Sequence, residues 1–324
     1  MINQTTPQTP ETALMVQTPL DQNPAAVFLA GLSTENSRKT MKQALDGIAR
    51  MLGAADCFAV QWGAMRFQHV NAIKSRLNEK YKPATVNKYL SALRGVLLAA
   101  KQLGQMSIEE YDRAVSVKSV KGSTLPAGRD LSDKEIRRLF AICEGDNTPS
   151  GARDAGLFAV MRLGLRASEV AGLNLADFDQ PVGRLIVRGK GNKERIVPIS
   201  NGSLKAVLDW LEVRGTGDGP LFCAVAQGGK VTGQPISRQA IFKICSKRAT
   251  EAKIADFSPH DFRRTFVGDL LDAGADIVTV KDLAGHASIQ TTARYDRRGQ
   301  ERLHNAIDLL NTPYTGRRQE KLGA

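Results

Sequence analysis

The sequence predicts a mainly α protein carrying a small antiparallel β-hairpin, split into an all-α N-terminal domain and an α+β second domain. Three observations carry this expectation. Apolar residues recur at three- and four-residue steps over long stretches, the period of an amphipathic helix. Residues 184–199 instead concentrate strand-forming side chains around a short turn. Between two helical regions lies a basic segment rich in Ser and Gly and without periodicity, which reads as a linker. A chain of 324 residues is long enough for two domains with proper cores.

Residues 1–24 contain no Lys or Arg and are rich in Thr, Gln and Pro, so a disordered tail is expected there. A helical domain follows over 25–115. Within it SRKTMKQALDGIARML (37–52) places Met41, Leu45, Ile48 and Leu52 on one helix face. PATVNKYLSALRGVLLAAKQLG (83–104) is a second helix, with Pro83 at its entrance and Gly104 as its stop. Leu90, Leu93 and Leu97 are expected to face the core. SVKSVKGSTLPAGRD (116–130) is the linker. The second domain, 131–311, opens with Ser132 as N-cap and Glu135 three residues later, a capping box. RLIVRG (184–189) and ERIVPI (194–199) flank the turn KGNK, a hairpin with a basic tip, and the rest reads as mostly helix. Residues 312–324 form a loose tail.

Bulk composition narrows the function. A net charge of +12 and a pI near 9.7 favour a polyanionic partner, nucleic acid above a small substrate. Cys57, Cys143, Cys223 and Cys245 are widely spaced and form no CxxC pair, so neither zinc nor a disulfide framework is indicated. No apolar run approaches the roughly 20 residues of a membrane span, and the N-terminus lacks the pattern of a signal peptide. A cytoplasmic protein without membrane contact is expected.

Several segments hold residues fit for phosphate chemistry. In SPHDFRRTF (258–266), Ser258 and Asp261 have capping-box spacing and Pro259 takes the first helical position. His260 and Arg263 then lie one turn apart, at a helix start that favours an anion. In GLRASEVAGL (164–173), Gly164 ends a helix, Arg166 enters the next, and Glu169 is placed to hold the guanidinium. Lys190 sits on the hairpin tip between Gly189 and Gly191. In LAGHASIQTTARY, Asp276 starts a helix that Gly285 ends, His286 falls on the tight turn, and Ser288 caps a helix carrying Tyr295. The charged neighbours of Tyr295 speak against a deep core position. Taken singly, each of these residues reads more readily as a solvated basic side chain, a surface ion pair or a packing residue than as part of a site.

Together they resemble a known family. GLRASE, GKGNKERIVPI, HDFRRTF, LAGHAS and TTARY, in this order, look like the boxes of the tyrosine recombinases, the phage-integrase and Xer-type family. The resemblance covers the second domain and extends loosely to ATVNKYLSALRGVLLAA, similar to a DNA-contacting helix of the family's helical, SAM-like core-binding domain. It implies two successive transesterifications at DNA phosphodiesters, with neither metal nor cofactor and no ATP. Tyr295 is the implied nucleophile, forming a 3′-phosphotyrosyl link. Arg166 and Arg263 bind the non-bridging oxygens, Lys190 protonates the leaving 5′-oxygen, His260 takes the tyrosine proton, His286 donates to phosphate, and Glu169 supports Arg166. The implied partner is double-stranded DNA with paired recognition sites, gripped by two domains and bound by a tetramer of this chain.

At the start of helix 84–103, Thr85, Asn87 and Lys88 are placed either to meet DNA or to form a solvated helix end. Leu303, Ile307 and Leu310 form an apolar stripe that docks on a neighbouring subunit or packs within its own. TTARYDRRG departs from the TTxxYTH run common in Xer housekeeping proteins and looks more like integrases of mobile elements. A non-catalytic DNA-binding relative and a type IB topoisomerase are the rival readings.

Overall fold

The computed structural model describes residues 19–122, 128–189, 193–296, 307, 308, 310 and 313. The chain divides into two compact units, Met1–Pro126 and Ala127–Ala324.

The first unit is helical throughout its described residues: α1 (Pro24–Ala30), α2 (Glu35–Met51), α3 (Phe67–Lys80), α4 (Pro83–Gln102) and α5 (Ile108–Val115). Local signals set the helix starts. The Asn23 side chain accepts from the amides of Ala25 and Ala26, Thr34 caps α2, and Pro83 fills the first position of α4, where its missing N–H costs nothing. Leu45, Ile48, Trp62, Leu77, Leu90, Leu93 and Leu97 form a fully buried core. Helix α1 reaches α4 closely because residue 95 is glycine: a methyl carbon there would sit 2.2 Å from the Phe28 ring.

The second unit begins with α6 (Asp133–Glu144), α7 (Pro149–Arg162) and α8 (Ala167–Ala171). A three-stranded antiparallel sheet follows in the order β1 (Phe178–Asp179), β2 (Arg184–Arg188), β3 (Glu194–Pro198). Then come α9 (Asn201–Arg214), the pair β4 (Cys223–Val225) and β5 (Val231–Pro235), α10 (Arg238–Glu251), α11 (Pro259–Asp272), α12 (Ile277–Ala284) and α13 (Ile289–Ala293). Helix α7 is the hub. Leu157, Phe158, Val160 and Met161 are wholly buried, because α6, α9 and α11 all pack around it. In the hairpin Val187 faces Arg195 and Leu185 faces Val197. Strand alternation buries Leu185, Val187 and Val197 and leaves Ile196 on the outer face. A second cluster, Phe266, Val267, Leu271, Val280 and Ala284, ties α11 to α12. No described helix is long and apolar enough to cross a membrane.

The fold class is as expected: mostly helix with small antiparallel sheets. Several details differ. Strands β1, β4 and β5 lie outside the single expected hairpin. Leu52 falls beyond the end of α2 and is exposed, so the apolar face of that helix is built from Leu45 and Ile48. The expected tail ends early: Asn23 is buried, caps α1 and donates to the Phe58 carbonyl. The expected linker is anchored within its own unit at each end. Val117 is buried in the first unit, whereas the Leu131 amide donates to the Thr265 hydroxyl in the second. The Arg129 guanidinium reaches the carbonyls of Ala255 and Asp256 and the Glu135 carboxylate. Lys190 and Leu303 lie outside the described residues; Ile307 and Leu310 are exposed.

Candidate active site

The site is assembled where α8, β3, α11 and the turn after α12 converge. Arg166 is the N-cap residue of α8. Its Nη1 donates to Glu169 Oε1 at 2.6 Å and its backbone amide to Glu169 Oε2 at 2.9 Å. Its Nη2 donates to the Gly285 carbonyl at 2.9 Å. Glu169 is buried, which by itself pushes its carboxyl up. Hydrogen bonds from Arg195 and from the Arg166 amide outweigh that and hold it below its ordinary value.

Helix α11 supplies His260 and Arg263. Asp261 fixes its start, accepting from the Ser258 amide and hydroxyl at 2.8 and 2.9 Å. The other Asp261 oxygen accepts from the Arg129 amide. Arg263 is 4% exposed. Its Nη1 donates to the Gly164 carbonyl at 2.6 Å, and its Nη2 is buried without a partner among the described residues. Loss of water, then repulsion from Arg166, lowers its pKa to about 10, so it stays charged near neutrality. A buried charged donor left unpaired costs free energy, and native proteins keep few of them. Such a nitrogen calls for an acceptor, and a charged donor bonds most strongly to an anionic oxygen.

His286 follows Gly285, which closes α12 at φ +64, a backbone conformation that glycine adopts without strain. The imidazole is buried, and its Nδ1 is 2.8 Å from the Thr292 hydroxyl. Burial first, then the charges of Arg263 and Arg166, push its pKa down to about 4. His260 is lowered in the same direction, by loss of water and then by Arg263, although the residue keeps an exposed edge. Both rings are therefore neutral at neutral pH.

Tyr295 lies two residues past α13, in a turn held by its amide on the Thr292 carbonyl, and not on the helix itself. The five-residue helix is too short to reach it. Its hydroxyl is 3.5 Å from His260 Nε2. Its ring stacks on His286 with centroids 6.3 Å apart, and the Arg264 guanidinium lies 5.9 Å from the ring centre. The ring packs against the α11–α12 cluster but is only partly buried. A cleft of about 260 Å³ opens beside this set, lined by Arg166, Ser168, Arg238, Phe242, His260 and Arg263.

Arg166, Glu169, His260, Arg263, His286 and Tyr295 thus come together. Of the three residues proposed at the start of α4, Lys88 is exposed and Thr85 half-buried. Asn87 is engaged elsewhere. Its Nδ2 donates to the Val120 carbonyl and its Oδ1 accepts from the Val120 amide, which matches one amide side chain to one backbone residue. Sequence reasoning missed Arg195, whose Nη1 and Nη2 reach Glu169 at 3.1 and 2.8 Å. The signal was present: in ERIVPI, strand alternation that buries Val197 also turns residue 195 inward, and an inward arginine needs a carboxylate.

Comparison with known proteins gives the family and the fold. The phage integrase family matches residues 129–302. Tyrosine recombinase XerC of Pelobacter propionicus is 30% identical over 238 residues, 72% of this chain and 75% of its own length. XerC of Listeria innocua is 37% identical over 254 residues, 75% of this chain and 81% of its own. The Tn1549 transposon integrase, solved with transposon right-end DNA, superposes with a TM-score of 0.66 at 17% identity, covering 90% of this chain and 99% of its own. Lambda integrase on a core site gives 0.63 at 14% identity, covering 87% and 95%. At such identities the two structures speak to the fold.

Proposed function

This chain belongs to the phage integrase family, and from that premise we infer that it is a site-specific DNA recombinase of the tyrosine class. It cuts and rejoins strands through a 3′-phosphotyrosyl intermediate. The reading rests most on two observations: the buried Arg263 Nη2, unpaired among the described residues, and neutral His260 at 3.5 Å from the hydroxyl of Tyr295. A phenol is protonated at neutral pH and needs an acceptor, and a neutral imidazole offers one.

In the first step Tyr295 Oη forms a bond to the scissile phosphorus and the P–O5′ bond breaks. The phenolic proton passes to His260, and the leaving 5′-oxygen takes a proton from Lys190. Arg166 and Arg263 bind the non-bridging oxygens in charge-assisted hydrogen bonds that tighten as charge develops. His286 donates a further one through Nε2. A 5′-hydroxyl from a partner strand reverses the step, and the covalent link conserves the bond energy.

Both units take part in DNA binding, with Thr85 and Lys88 at the start of α4 meeting the duplex. The excess of basic residues makes affinity fall with salt. Four copies act on two paired sites, in the cytoplasm. The run TTARYDRRG favours integration or excision of a mobile element over chromosome maintenance.

The test is covalent trapping. Cells expressing the protein are lysed in detergent, protein–DNA adducts are isolated and the attached DNA is sequenced. Wild type should yield adducts at a defined sequence, and Tyr295→Phe should bind the same DNA and yield none. Adducts that persist in Tyr295→Phe remove the nucleophile; wild type without adducts removes the whole reading.

A further inference from the structure

We propose that Arg195 is a positioning residue that sets the guanidinium of Arg166 and the turn bearing His286. The inference rests on the recombinase reading above and concerns how its phosphate-binding groups are held. Arg195 stands on β3 and is mostly buried, with a side chain 14% exposed. All three of its nitrogens are committed. Nε donates to the Leu283 carbonyl at 2.9 Å, while Nη1 and Nη2 straddle the Glu169 carboxylate. Glu169 in turn holds Arg166, and Arg166 donates to the Gly285 carbonyl. The contacts close a ring: Arg195 to Glu169, Glu169 to Arg166, Arg166 to Gly285, and back through Leu283 to Arg195.

That ring joins β3, α8 and the end of α12. Each bond fixes an angle of a group that faces the phosphate, and neither Arg195 nor Glu169 lines the cleft itself. Residue 285 is glycine for the same reason. A methyl carbon there would lie 2.9 Å from Arg195 Nη1 and 3.1 Å from its Cζ. The planar guanidinium lies flat under the turn, which lysine cannot imitate: an ammonium has no fork for a carboxylate and no third nitrogen for a carbonyl.

The test uses the full chain and a nicked duplex built on the sequence recovered from wild-type adducts. Arg195→Ala should lower single-turnover cleavage about 100-fold, the scale of a misplaced reacting group, with DNA affinity kept. Arg195→Lys, which keeps the charge, should recover little of the loss. A duplex with a neutral methylphosphonate at the scissile position demands less charge stabilisation. It should shrink the deficits of Arg195→Ala and Arg166→Ala alike, which a general loss of folding would not do. Cleavage at the wild-type rate, or a methylphosphonate that relieves Arg166→Ala alone, overturns the proposal.

A second readout needs no DNA. Hydrogen exchange in free Arg195→Ala should quicken about tenfold or more over residues 283–286 and 166–170, the signature of a local opening. Unchanged exchange there overturns the proposal even if wild type forms no adduct, a result that would sink the recombinase reading separately.

Discussion

Two arginine clusters in the second unit make opposite use of the same chemistry. At the first, Arg248 is 2% exposed and donates to Asp154, Asp146 and Glu251, while Arg153 takes the other oxygen of Asp154. Two arginines there meet three carboxylates. Burial disfavours the Arg248 charge, but Asp146 and Asp154 more than compensate and raise its pKa. At the second, Arg166 and Arg195 share the carboxylate of Glu169, while Arg263 donates to the Gly164 carbonyl and its Nη2 has no partner among the described residues. A saturated cluster holds helices together. An undersaturated one is suited to the phosphate of the proposed reaction, and its cost in stability is borne by the rest of the fold.

The contrast is broken most directly by removing one arginine from each cluster. Arg248→Ala removes a shared partner from three carboxylates, leaving buried Asp154 with Arg153 alone, and should cost about 3–5 kcal/mol of unfolding free energy, read by urea denaturation, with adduct formation by the folded fraction little changed. Arg263→Ala removes an orphan donor. It should cut cleavage about 100- to 1000-fold while leaving the denaturation midpoint level or higher. Equal losses of stability in the two variants would erase the distinction.

Acid sharpens it. His286 has a pKa of about 4 in the folded chain, below the ~6.5 of an unfolded histidine. Between those values the unfolded chain holds more protons, so stability is intact above pH 6.5 and falls as pH drops toward 4. His286→Asn should flatten that slope, measured by thermal unfolding across the interval. An unaltered slope would show that neither burial nor the neighbouring arginines lower the pKa of the ring.

The smallest effect should come from sulfate, a stand-in for the substrate phosphate. Saturating sulfate should raise the melting temperature of wild type by roughly 2–4 °C, the scale of about 1 kcal/mol. Arg263→Ala should lose that gain, whereas Arg248→Ala should keep it. A gain that survives in Arg263→Ala would place the anion elsewhere.

What could be read from the sequence follows the range of the interaction. Ser132 with Glu135 and Ser258 with Asp261 are three-residue motifs, and both helix starts formed where that spacing put them. Gly285 ends α12 for an equally local reason. The partnership of Arg248 with Asp154 spans 94 residues and carries no local signature. Asn87 shows the converse failure. Its place at a helix start suggested an outward role, but the backbone of Val120, 33 residues away, claimed both ends of its amide. The candidate site was legible as a set because its boxes are short and ordered. Arg195 was hidden because its partners belong to α8 and α12, and only strand alternation pointed inward.

The cysteines carry a practical consequence. All four are buried and free, and burial pushes the thiols of Cys57 and Cys143 up to about 12 and that of Cys245 higher still. Nucleophilic thiolate is therefore scarce on the native molecule. A cysteine introduced on an exposed helix face would react with maleimide dyes well ahead of the natural ones, so fluorescent reporters can be attached without first stripping the chain of its own sulfur.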